Sequence, residues 1–566
     1  MKILTSTLCL CLLAAGLAAQ ETQSPAAGPR KFSTVFKGEK RWLALPVKNG
    51  APKRNLELWV EGERERWFDM ELAEADPDWY AYLDISRWKG KAMELRVDSL
   101  SPSSTVFSPV RQHDEDRNAG PLYREKLRGQ FHFSPKRGWN NDPNGLVYYK
   151  GEYHLFFQHN PYGRGWGNMH WGHAVSKDLV HWKELDIALY PDASGTMFSG
   201  GGVVDNQNSS GLGSPENPAM VLFFTGAGSW DQGLAWSTDG RDFQKLDHPV
   251  VRRINKDNRD PKVVWHEPSG QWVMVLYVER EEGRHTVQFL TSPDLKNWTQ
   301  TSRAEGGLGD DRYLFECPEF FEIPVEGSPG ETKWILTGAN SEYAIGTFDG
   351  KTFSPETERL NGQLGRDFYA AQTFSNEPKG RRIEIGWWRT HTDKEGMPFN
   401  QSMSVPMELK LVKRPEGLRL TRSPVEELKS LRTASHKVGK LKLKEDSPNP
   451  LSGIKAELSE IRMEFEPGSA REVVLNIRGL DVVYNAEKEE LSIDGIKAGA
   501  PLQNGRQNLI IYADRTGLEV FAGDGLVFMP VNFNLAPDNR SLSLSVKGGT
   551  ARFSVFEVHE LKSIWE

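Results

Sequence analysis

Along most of this chain apolar and polar residues alternate with a period of two, in short runs separated by Gly, Pro, Asn and Asp. Arg41-Trp-Leu-Ala-Leu45, Leu56-Glu-Leu-Trp-Val60, Thr286-Val-Gln-Phe-Leu290 and Ala551-Arg-Phe-Ser-Val-Phe-Glu-Val558 are typical. Successive side chains point to opposite faces of a strand, so these runs predict half-buried β-strands joined by turns. Pro424-Val-Glu-Glu-Leu-Lys-Ser-Leu431 reads as a short helical connector. The fold class predicted is all-β.

The turns between runs repeat. Asp178-Leu-Val-His-Trp182, Asp239-Gly-Arg-Asp-Phe243, Asp294-Leu-Lys-Asn-Trp298 and Asp349-Gly-Lys-Thr-Phe353 share one pattern, at spacings of 61, 55 and 55 residues. Each follows a β run and reads as the turn between the last two strands of a four-stranded unit. A period in this range is the signature of propeller blades. The unit starts recur as well. Asp142, Ser199, Asp260, Glu316 and Asp367 stand in equivalent places, 57, 61, 56 and 51 residues apart, which implies five blades. The propeller is expected to close near Ser402 to Leu411.

On this reading the chain divides into a signal peptide (1–19), a small N-terminal β domain with its linker (20–127), a five-bladed propeller (128–424) and a C-terminal β-sandwich (425–566). The leader has Lys2 at its start, an apolar stretch from Ile3 to Leu13 and small residues at the cleavage positions. Export to the periplasm or the cell exterior is therefore expected, with no membrane insertion, because that stretch is too short to span a bilayer. Cys9 and Cys11 would leave with the leader, and Cys317 alone cannot form an internal disulfide. A net charge of -7 over 566 residues gives no electrostatic case for nucleic acid as a partner. In the N-terminal domain, Trp59, Trp67, Trp79 and Tyr80 are expected to pack in the core rather than stack on sugars.

Taken alone, Asp142 in Asn140-Asn-Asp-Pro-Asn-Gly145 reads as a turn residue capping its own backbone. The repeat changes that reading. The first strand of each propeller blade lines the central channel, so Asp142, Asp260 and Glu316 should converge on one mouth of it. Three carboxylates on rigid strand ends suit a transition state carrying positive charge, and glycoside hydrolysis is the leading case. The surroundings fit a sugar: Trp139, Trp166, Trp171 and Trp387 offer flat apolar faces, while Asn141, Gln158, Ser199 and Arg259 offer directional hydrogen bonds. His154, His159, His170 and His173 lie in strand-like runs without recognised ligand spacing, so no metal or other cofactor is expected.

Trp139-Asn-Asn-Asp-Pro-Asn-Gly145, Phe198-Ser-Gly200, Arg259-Asp-Pro261 and Glu316-Cys-Pro318, in this order, resemble glycoside hydrolase family 32, the β-fructosidases. Gln130-Phe-His-Phe-Ser-Pro135, Glu152 to Pro161 and Trp166 to His173 are similar to its exo-acting levanase and inulinase branch. The resemblance covers about residues 128 to 560 and implies a retaining enzyme acting on fructan or sucrose. By it, Asp142 is the nucleophile, Glu316 the general acid and then base, and Asp260 the stabiliser of the transition state. Asn141, Gln158, Trp166, Phe198, Ser199, Arg259 and Trp387 would bind the substrate. Retention expects Asp142 and Glu316 about 5 to 5.5 Å apart, and work as an acid near neutral pH expects Glu316 to titrate high. Asn140 and the run Ser199-Gly-Gly-Gly202 depart from the family pattern near the sugar. Competing readings are an inverting arabinan or xylan hydrolase on a similar propeller, and a catalytically silent carbohydrate-binding module. Fructosyl transfer to a sugar instead of water also stays open.

Overall fold

The computed structural model describes residues 30–116, 122–393, 396–536 and 538–565. The expected leader and the first part of the linker after it lie outside the described residues. Within them the chain is almost entirely β, as its period-two pattern predicts, with short 3₁₀ turns such as Glu426–Leu431 at the expected connector.

The central region is a β-propeller. Its strands form five sheets in chain order, each running outward from the axis in sequence. The innermost strands are Gly138–Tyr149, Gly202–Val204, Asn258–His266, Glu319–Pro324 and Phe368–Thr373. Each touches the next and the last touches the first, so they close a ring. Closure is made by Phe399–Asn400, which pairs in parallel with Gly138 and Trp139 of the first sheet. The expected closing segment, Ser402 to Leu411, instead completes the fifth sheet through Ser402–Met403 and Met407–Arg414.

The repeated Asp turns have a local cause. In each, one carboxylate oxygen accepts two backbone N–H groups two and three residues on: Val180 and His181 for Asp178, Arg241 and Asp242 for Asp239, Lys296 and Asn297 for Asp294, Lys351 and Thr352 for Asp349. The second residue of every copy takes a positive φ, 66° at Leu179, 71° at Gly240, 64° at Leu295 and 95° at Gly350. Glycine adopts that conformation freely. The two leucines are fully buried, and that packing offsets the strain.

The C-terminal region is a sandwich of a seven-stranded and a five-stranded sheet. It is fused to the propeller by a shared apolar cluster joining Phe133, Phe368 and Phe374 to Tyr512, Phe521 and Phe528. The same interface buries His132 between Asp514 and Glu519, at 2.7 and 2.6 Å. The N-terminal region packs a four-stranded on a three-stranded sheet and docks on the first propeller sheet, where Phe68 stacks on Tyr162 at 3.8 Å.

Two expectations about aromatic residues are corrected here. Trp171 is fully buried and offers no face to a ligand. Trp59 and Trp67 lie on the outer face of the N-terminal sheet, because Leu56, Leu58, Val60, Phe68 and Met70 take the core side of the alternation. Trp79 does lie in the core.

Candidate active site

The inner strands are bent where the acids sit. Pairing register shifts between Asn140 and Pro143, bracketing Asp142, and between Arg259 and Lys262, bracketing Asp260. A bulge places an extra residue in one strand and re-aims its side chain, here toward the channel mouth. Asp260, Glu316 and Cys317 have φ of 64°, 41° and 42°, left-handed values that non-glycine residues hold only when the surroundings enforce them.

Cys317 ties the site together. Its Sγ lies 3.5 Å from an oxygen of Asp142 and 3.5 Å from one of Asp260, and its backbone N–H donates to that Asp260 oxygen at 2.9 Å. Asp142 also accepts the Ser199 hydroxyl at 2.7 Å and the Asn141 amide at 3.1 Å, while Asn141 accepts the Trp139 indole N–H at 2.8 Å. Glu316 is held from both sides. Arg259 donates to one of its oxygens through Nη2 at 2.8 Å and Nε at 3.2 Å, and Tyr369 donates its hydroxyl to the other at 2.5 Å.

Crowding in a partly dehydrated mouth raises two of the acids, Asp142 and Asp260. Burial, and then the Glu316 charge, holds Asp142 above the usual carboxylate range, against the hydrogen bonds from Ser199 and Asn141. Burial pushes Asp260 up to about 7, with Arg259 opposing and Glu316 reinforcing the rise. Burial and the surrounding acids push the Cys317 thiol well up, so it stays neutral. Tyr369 is likewise held above its ordinary range by burial and by Glu316, so it remains a donor.

The remaining residues form walls and supports. Trp387 meets Trp139 edge-on at 5.9 Å and Tyr369 at 6.0 Å. Trp166, 59% exposed, packs edge-on against Phe198, which packs against Trp230 in the same way. Gln158 is buried and donates its amide to the Met197 carbonyl, which steadies the strand ending at Phe198. Gly200 is required where it stands, since a Cβ there would collide with the Phe223 carbonyl oxygen. Asn140, which departs from the family pattern, is fully buried beside Asn141. The four histidines do not converge: His154 and His173 bond each other at 2.9 Å, His159 bonds the Trp139 carbonyl at 2.8 Å and His170 the Asn168 carbonyl.

Four residues near the site were not singled out from sequence. Asp257, in the bend just before the strand Asn258–His266, pairs with Arg259. Thr225 accepts the Asp260 backbone N–H at 3.1 Å. Trp230 joins the aromatic rim from a turn, and Arg389 lies over both Tyr369 and Trp387, at 4.5 and 4.6 Å. These three came from segments without a recognisable pattern.

Acids gathered at the mouth of a propeller, with aromatic walls and a neutral thiol between them, fit a glycoside hydrolase. The model of the glycosyl hydrolases family 32 N-terminal domain matches residues 132–424, and that of the family 32 C-terminal domain matches 427–560. The chain belongs to glycosyl hydrolases family 32. It is 38% identical to a levanase of Bacillus subtilis (strain 168), covering 78% of this chain and 72% of the levanase. It is 32% identical to a levanase of Bacillus sp. (strain L7), covering 96% of this chain and 64% of that one. Among solved structures, the exo-inulinase of Aspergillus awamori superposes with a TM-score of 0.70 at 27% identity, covering 78% of this chain and 100% of the inulinase.

Proposed function

We propose that this protein is an exo-acting β-fructosidase that removes terminal fructose from levan- or inulin-type fructans and also splits sucrose, with retention of configuration. The observation that carries the reading is the pair of carboxylates, Asp142 and Asp260, contacting one Cys317 sulfur, with Glu316 adjacent in the chain and gripped by Arg259 and Tyr369. Asp142 attacks the anomeric carbon while Glu316 gives its proton to the leaving oxygen. Glu316 then takes a proton from the water that releases fructose. Asp260 holds sugar hydroxyls, and its carboxylate stabilises the positive charge that develops on the ring without bonding to carbon. Asn141, Ser199 and Arg259 orient the acids and the sugar, and Trp387, Phe198 and Trp166 wall the pocket. Levan or inulin degradation is what the names of the relatives say of those proteins, and it supports the same substrate class here.

In this reading residues 128–424 form the catalytic unit and 425–566 its support. The amino-terminal leader supports export. No helix among the described residues is long and apolar enough to cross a membrane. Purified protein incubated with levan, inulin and sucrose tests the proposal: free fructose is expected, and its absence from all three rejects the reading. An inverting mechanism would instead deliver the opposite anomer as first product.

A further inference from the structure

We propose that the outer sheet face of the N-terminal domain binds the body of a fructan chain whose end occupies the propeller pocket. The inference rests on the fructan reading of that pocket. The family matches begin at residue 132, so nothing in them assigns a role to this domain.

On the strands Lys53–Val60 and Glu63–Glu71 the alternation that sends Leu56, Leu58, Phe68 and Met70 inward leaves Glu57, Trp59, Trp67 and Asp69 outward. Solvent faces of such sheets normally carry polar residues, and here two partly exposed tryptophans share one face. Glu57 and Trp67 are cross-strand partners. Planar polar groups surround the rings. Arg96 lies over Trp59 at 4.1 Å and Arg64 over Trp67 at 4.8 Å, while Glu57 accepts from the Trp59 indole at 2.8 Å and from Arg64 at 3.0 Å. Guanidinium and carboxylate groups match the paired hydroxyls of a furanose, and an indole matches its C–H face. Cations and anions alternate here, Lys53, Arg64 and Arg96 against Glu57, Asp69 and Glu94. A neutral polymer fits this balance better than a charged partner.

The face abuts the propeller loop that carries Trp166 and Asn168. A groove of about 360 Å³ is lined by Asn55, Glu57, Arg64, Trp67, Asp69 and Asn168. Asn168 belongs to the propeller and is locked to Asp69, accepting its backbone N–H at 3.0 Å and donating to its carbonyl at 2.8 Å. Two residues before Asn168 stands Trp166, exposed at the rim and packed on Phe198. A second groove, of about 170 Å³, runs from Asp69 along Gly163, Arg164 and Gly165 to the same loop. Docking through the Phe68–Tyr162 stack keeps the two parts of the track in register.

The test uses the full chain and Trp67→Ala, with Trp67→Tyr as the conservative variant, and thermal melting to verify folding. Migration in native gels containing levan or inulin reads binding directly, and KM on the polymer against KM on a fructosyl trisaccharide reads its use. Wild type is expected to be retarded by one of the polymers. Trp67→Ala should lose most of that retardation and raise the polymer KM about tenfold, a loss on the scale of one aromatic contact, with trisaccharide turnover unchanged and Trp67→Tyr largely restored. Equal retardation of wild type and Trp67→Ala, or no retardation of wild type by either polymer, overturns the track. Failure of wild type to release fructose from any substrate would reject the catalytic reading instead, and the gels would still decide the track.

Discussion

Tyr369 donates its hydroxyl to Glu316 at 2.5 Å, on the carboxylate oxygen opposite the one that Arg259 grips. The two donors leave Glu316 one orientation. A hydrogen bond to a charged group contributes about 1.5–3 kcal/mol, so Tyr369→Phe is expected to lower kcat on fructan by about 10- to 100-fold. A variant that keeps wild-type kcat and pH profile would reduce the contact to packing.

The raised pKa of Asp142 has a cause that can be removed. After burial, the Glu316 charge is the larger contributor to the rise. Glu316→Gln deletes that charge, so the acid limb of the remaining activity, measured on an aryl fructoside that needs no proton donor, is expected to move to lower pH. An unchanged or higher limb contradicts the electrostatic account.

Cys317 is buried and its thiol is pushed well up by burial and by Asp142 and Asp260. The thiolate is the reactive form. Folded protein at neutral pH should therefore resist iodoacetamide, and denatured protein should take up one equivalent at this residue, as read by mass spectrometry.

His132 couples the propeller to the sandwich and titrates. Burial alone would lower its pKa, but Asp514 and Glu519 outweigh it and raise the pKa to about 9. A histidine raised above its unfolded value of about 6.5 gives its full stabilisation below that pH and loses it as pH rises through about 9. Melting temperature is expected to fall across this window. His132→Ala, which leaves buried carboxylates unpaired, should cost about 3–5 kcal/mol and flatten that dependence.

The architecture was legible because its repeats carry a mechanism. Asp178, Asp239, Asp294 and Asp349 each close a turn through their own carboxylate, so the turn is written in four or five adjacent residues. The acids were legible for the same reason, since equivalence of the blade starts groups Asp142, Asp260 and Glu316 by spacing alone. Closure by Phe399–Asn400 was not, because two residues of parallel pairing leave no periodicity. Nor were the outward Trp59 and Trp67. An alternating strand fixes which residues share a face, but an aromatic on the polar side reads the same as one in a core until its neighbours are placed. Tyr369 stands two residues after the blade start at Asp367. Its bond to Glu316 depends on a contact 53 residues away in sequence that no local pattern encodes.

The central claim is that Asp142 is the nucleophile, and turnover by Asp142→Asn tests it most directly. A carboxyl whose folded pKa lies above its unfolded value destabilises the fold as pH rises past the unfolded value, so the neutral amide should melt no lower than wild type at pH 7. With folding verified in this way, fructose release from levan and inulin is measured under saturating substrate. The account predicts a fall of about 10⁴-fold or more in kcat, as removal of a covalent nucleophile produces. A folded Asp142→Asn that keeps kcat within about tenfold of wild type would contradict it.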